Sequence, residues 1–157
     1  SPTLALHKKG SVINDISAGS CLVKPKDFEI PSLTNFIPAA YIATPVLKKM
    51  PGVRLPSVER FSAFFEWWDP NQAQTYFIYG GQWMADYESP VGLQANGLYG
   101  ISTNQQIVNG AANLNIGVDD HVFLRPRQSE AVFLQFGRIL TIENKSLGAE
   151  WSILQDA

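Results

Sequence analysis

Two short stretches hold most of what could do chemistry in this chain. Ser17-Ala18-Gly19-Ser20 follows an apolar run, and a glycine flanked by small hydroxyl residues offers backbone N–H groups to a phosphate. Arg125-Pro126-Arg127-Gln128-Ser129-Glu130 sets five polar residues and a proline between two strand-like runs. Such side chains either converge on a cavity or form a solvated loop. Other groups are weaker candidates. His7 and His121 lie far apart and in no spacing that aims two metal ligands together, so surface or hydrogen-bonded histidines are the plainer reading. Asp119-Asp120 before His121 reads as a turn entering a strand, and no Gly-x-Ser-x-Gly elbow marks a nucleophile. The aromatic run Phe64-Phe65-Glu66-Trp67-Trp68 offers a stacking platform for sugars or bases, or else core and cross-strand pairs, the commoner fate of aromatics in hairpins. Asn144-Lys145-Ser146 is a sequon by pattern, and reads as a turn.

The chain that must position these residues has 157 of them, enough for one domain, or one domain and a fragment of another. Hydrophobic residues make up 45% and charged residues only 17%, a composition that builds a core and excludes a disordered tail. Twelve Lys and Arg face fourteen Asp and Glu, for a net charge of -2, and no basic cluster exceeds a pair such as Lys48-Lys49. Phosphate-backbone binding therefore has no electrostatic footprint, and nucleic acid is not an expected partner. Cys21 is alone, which excludes an intrachain disulfide and suggests a cytoplasmic product. The longest apolar candidate, residues 36–47, is interrupted by Pro38 and Pro45 and falls short of a membrane span, so a soluble protein is expected. The chain opens on Ser1, as at a processing site or the cut end of something longer.

Periodicity predicts a mostly β chain. Residues 12–16 read as a strand feeding the Gly19 loop, and residues 24–38 as a connector in which Pro25, Pro31 and Pro38 forbid a long helix. Residues 39–49 read as the first strand of a new unit. The aromatic runs 61–68 and 75–79 flank Asp69-Pro70-Asn71-Gln72 and predict a hairpin, with a bend or bulge at Gly80-Gly81. Residues 92–117 are rich in Gly, Asn and Gln, sustain neither period, and read as a long functional or flexible loop. Runs at 121–124, 131–136, 139–142 and 150–154 read as four short strands, with Glu143-Asn144-Lys145-Ser146 as the turn between the last two. The expected architecture is a barrel or sandwich of about seven strands.

Taken together, several segments resemble one family. Ile13-Asn14-Asp15-Ile16-Ser17-Ala18-Gly19-Ser20, Gly81-Gln82-Trp83-Met84-Ala85, Ser102-Thr103-Asn104-Gln105-Gln106 with Asn109-Gly110, and Val122-Phe123-Leu124-Arg125-Pro126-Arg127-Gln128-Ser129-Glu130-Ala131-Val132 are similar, in order and spacing, to the C-terminal part of D-threonine aldolase and D-serine dehydratase-like enzymes, as is Ser1-Pro2-Thr3. These are pyridoxal 5'-phosphate enzymes of the alanine-racemase fold. The resemblance implies that residues 1–23 are the last strand and loop of a cofactor-binding (β/α)8 barrel and residues 24–157 a C-terminal β-barrel or sandwich domain. The cofactor lysine would lie in an N-terminal barrel portion of the same enzyme.

The resemblance also implies roles. Ser1, Gly19 and Ser20 match phosphate-binding loops, while Glu130, Gln128, Asn104 and Gln105 match substrate-side loops. The family carries a metal-binding His-x-Cys or His-x-Asp pair where this chain reads Gln128-Ser129-Glu130, which leaves Glu130 as the candidate ligand for a divalent metal. Ser17 stands where racemases supply an arginine to the pyridine nitrogen, and the racemase tyrosine falls near Trp83-Met84. The implied activity is retro-aldol cleavage or dehydration of a D-3-hydroxy amino acid such as D-threonine or D-serine, by an enzyme that is a homodimer. The alternatives are a racemase of the same fold and a non-catalytic β-barrel binding module.

Overall fold

In a computed structural model, Thr3, His7 and residues 9–52, 70–97 and 99–153 are described. Ser1 and the aromatic run 61–68, the first half of the expected hairpin, lie outside them. The chain divides into two compact units, Tyr41–Arg125 and a second made of Ser1–Ala40 with Pro126–Ala157. Residues 1–23 and 24–40 thus fall in one unit.

The Tyr41–Arg125 unit is a nearly closed, barrel-like antiparallel sheet. Its strands are β1 (Ile42–Pro51), β2 (Gln74–Tyr79), β3 (Ala85–Ser89), β4 (Gln94–Ala95), β5 (Gln105–Gly110) and β6 (His121–Pro126), in the order β3-β6-β1-β2-β5-β4. Strand β1 shows why the sheet curls. Its first half pairs with β6, from Ile42 opposite Leu124 to Pro45 opposite His121, and its second half pairs with β2, from Val46 opposite Ile78 onward. Pro45, which has no N–H to give a ladder, sits at the changeover, and the extra residue Leu47 makes a bulge just after it. Alternation then sorts the side chains. Ile42, Thr44, Val46, Tyr76, Ile78, Val108, Val122 and Leu124 are buried, and each large aliphatic among them contributes about 1.5–3 kcal/mol by leaving water. The Thr44 hydroxyl donates to the Tyr79 carbonyl at 2.5 Å, which satisfies the one polar group in β1's buried row.

Residues 92–117 differ from the expectation of a structureless loop. They contain β4 and all of β5, and β5 lies inside the sheet between β2 and β4. The missed signal is polar. Gln106 and Asn109 are buried and hydrogen-bonded within the barrel unit, so the strand's inner positions do not read as apolar. Gly80 and Gly81 bend the chain as expected, at φ of 73° and 152°, and Gly80 bridges Gln105.

The other unit is built differently. No strand forms at residues 12–16, where Val12, Ile13 and Ile16 are exposed; the expected strand is corrected to irregular chain. Three single 3-10 turns follow, Ser20–Leu22, Lys26–Phe28 and Pro31–Leu33, as the proline spacing demands. Lys24 is buried, donates to the Phe36 carbonyl at 2.8 Å and pairs with Glu29 at 3.2 Å. The expected strand at 131–136 is instead a short helix, α1 (Ser129–Phe133). Its buried residues, Ser129 and Val132, are three apart, the helical spacing, whereas the run Val132-Phe133-Leu134 on its own suits either element. Strands β7 (Arg138–Glu143) and β8 (Ser146–Ser152) form a hairpin with Asn144 and Lys145 at its tip, and Arg138 pairs with Glu150 across it.

Candidate functional site

Two loops of the Ser1–Ala40 and Pro126–Ala157 unit are stitched together. The Asp27 N–H donates to the Arg127 carbonyl at 3.2 Å, and the Gln128 side-chain amide donates to the Asp27 carboxylate at 3.4 Å. Pro25 and Pro31 shape the first loop, and α1 begins one residue after Gln128 and fixes the second.

The stitching brings Glu130 to Ser20. The Ser20 hydroxyl donates to Glu130 Oε1, and the buried Ser129 hydroxyl donates to Glu130 Oε2 at 3.2 Å. One carboxylate thus accepts a hydroxyl at each oxygen, one from a residue 110 positions away and one from its neighbour. Gly19 opens the 3-10 turn that carries Ser20, and a Cβ built on it would meet nothing within 4 Å, so its backbone can be approached closely.

Of the residues singled out in the sequence, Gly19, Ser20, Gln128 and Glu130 lie in this unit, with Ser20 and Glu130 in direct contact. Asn104 and Gln105 lie in the barrel unit, at the start of β5, where the Asn104 carbonyl accepts from Gly80 N–H at 2.8 Å. Ser1 is outside the described residues. Arg125 ends the barrel unit as a buried residue 3.9 Å from Glu88, and is not part of a solvated loop. Sequence reasoning passed over Asp27, and named Ser129 in the 125–130 segment without giving it a role of its own. Asp27 gave no signal, lying in the connector, and Ser129 was hidden between two more obvious ligand types.

A divalent metal does not fit what is present. Among the described residues no three His, Cys, Asp or Glu side chains gather, and the Gln128 amide is turned to Asp27. No helix of the described residues is long and apolar enough to cross a membrane. In comparisons with family models, curated proteins and solved structures, the chain has no match.

Proposed function

We propose that this chain is the C-terminal portion of a pyridoxal 5'-phosphate lyase acting on D-3-hydroxy amino acids. The observation that carries the reading is the hydrogen bond between Ser20 and Glu130. It joins a loop that resembles a phosphate-binding segment to one that resembles a substrate-side segment, across most of the chain. Pyridoxal phosphate, when bound, supplies an electron sink for bonds to the substrate's α-carbon. Gly19, with open space where a Cβ would stand, lets a phosphate approach the backbone. The Glu130 carboxylate takes the proton of the substrate's β-hydroxyl as the Cα–Cβ bond breaks; in a dehydration Glu130 would have to enter protonated and give that proton to the departing hydroxyl, which leaves as water. The cofactor lysine belongs, on this reading, to a barrel portion of the same polypeptide, and the working enzyme is a homodimer.

The test is Glu130→Gln in the whole polypeptide. Turnover of D-threonine or D-serine is expected to fall by about 10²–10⁴-fold, the span of general acid–base catalysis. The absorbance of bound pyridoxal phosphate should be unchanged. Activity within a few-fold of the parent overturns the assignment.

A further inference from the structure

We propose that Ser20 and Ser129 are positioning residues that together orient the Glu130 carboxylate. The inference rests on the functional reading above and adds to it a division of labour that the sequence did not show. Glu130 is an exposed side chain on the first turn of α1, and the last torsion of a glutamate is broad, so its carboxylate plane has no intrinsic preference. Two hydroxyls remove that freedom. Ser20 Oγ holds Oε1 and Ser129 Oγ holds Oε2, and fixing both oxygens fixes the plane.

Two features point to a role for the serine pair beyond local folding. Ser129 is only 3% exposed, so its hydroxyl is cut off from water and needs a protein partner. The start of α1 also has no side-chain cap: Gln128 stands at that position without a capping hydrogen bond, and the Ser129 hydroxyl, which could serve the backbone there, goes to Glu130 instead. Each carboxylate oxygen has two lone pairs, and one hydroxyl on each leaves the other pair for a substrate. Ser20 accordingly serves Glu130, although the resemblance alone assigned it to the cofactor phosphate.

Two measurements test this. In the whole polypeptide, a double-mutant cycle of Ser129→Ala and Glu130→Gln by urea unfolding should give non-additive midpoints, as should the cycle of Ser20→Ala and Glu130→Gln. Additive midpoints in both cycles overturn the clamp. In the whole polypeptide, Ser129→Ala and Ser20→Ala should each lower kcat about tenfold at unchanged KM with D-threonine, and Ser129→Thr should restore kcat. A rise in KM at constant kcat, or no rescue by threonine, overturns the positioning role. If the parent polypeptide turns over no D-3-hydroxy amino acid, the functional reading fails, and with it the catalytic part of this inference. The cycles still decide whether the serines hold Glu130, so the two failures are distinguishable.

Discussion

The Tyr87 hydroxyl on β3 and the Gln106 side chain on β5 are hydrogen-bonded to each other, although the two strands are not neighbours in the sheet. They link β3, at one end of the strand order, to β5, next to last at the other, near the seam where β3 and β4 follow one another in the chain without pairing. Gln106 also accepts the Ser102 N–H at 3.1 Å, so one buried amide serves the seam and the loop before β5. Burial pushes the Tyr87 phenol up to about 12 from the usual 10, and the Gln106 bond opposes that rise in part. The folded state thus favours the protonated phenol more than the unfolded chain does. The stability this contributes is whole below pH 10 and is lost as pH rises from 10 through about 12. Thermal unfolding between pH 9 and 11.5 should show a falling midpoint, and Tyr87→Phe should flatten the fall. An equally steep fall in the variant would assign the effect elsewhere.

Tyr76 presents the opposite case. Its side chain is fully buried under Lys49, whose ammonium stands 5.6 Å from the ring centre, yet among the described residues its hydroxyl has no hydrogen-bond partner. A buried, unsatisfied hydroxyl costs about 1–3 kcal/mol. Tyr76→Phe should therefore be neutral or raise stability by up to about 1 kcal/mol, whereas Tyr76→Ala should cost about 3–5 kcal/mol through the cavity it leaves. Urea midpoints of the two variants decide. A loss above 1 kcal/mol in the phenylalanine variant would mean that the hydroxyl has a partner.

Asn109 anchors a second polar group in the sheet. Its side-chain oxygen accepts the Thr75 hydroxyl at 3.4 Å and the Asn96 amide at 3.2 Å, and Asn96 in turn accepts the Tyr99 N–H at 3.0 Å. All three side chains of the Thr75, Asn96 and Asn109 group are buried. Asn109→Leu removes the acceptor that two buried donors share and should cost about 2–3 kcal/mol, with hydrogen exchange faster at Tyr99. Asn113→Leu, an exposed neighbour in sequence, should move stability by less than about 0.5 kcal/mol.

Asn109 also explains how far the fold could be read in advance. Strands whose inward residues are aliphatic were legible: β1 from Ile42 and Val46, β6 from Val122 and Leu124. Strand β5 was not, because Gln106 and Asn109 occupy buried positions, and their partners come from residues no local window contains. The helix α1 was misread because Val132-Phe133-Leu134 suits either period, and only the burial of Ser129 with Val132 separates them. At the site, residue types pointed to Ser20 and Glu130 separately, but their hydrogen bond is tertiary and left no mark on spacing. The role of Ser129 was invisible for the same reason, since a serine beside a glutamate is ordinary until burial removes its water.

The hairpin of β7 and β8 is the place where the sequence can be improved on its own terms. Asn144 and Lys145 both adopt positive φ, 51° and 66°, the conformation of a two-residue turn that matches the twist of its strands. Asparagine tolerates that region, but for lysine, as for most residues with a Cβ, it costs roughly 1 kcal/mol. Two-stranded hairpins are marginal in water, and all seven residues of β8 are exposed, so little packing hides the cost. Lys145→Gly should relieve it and make the Asn-Gly pair that such turns favour. Amide exchange across β7 and β8 should slow by about two- to fivefold, corresponding to 0.5–1 kcal/mol of added hairpin stability. Lys145→Ala, which keeps a Cβ and loses the charge, should leave exchange near the parent rate, separating backbone conformation from the removal of a positive charge at the tip. Faster exchange in the glycine variant would show that the entropy glycine adds to the unfolded chain outweighs the strain relieved.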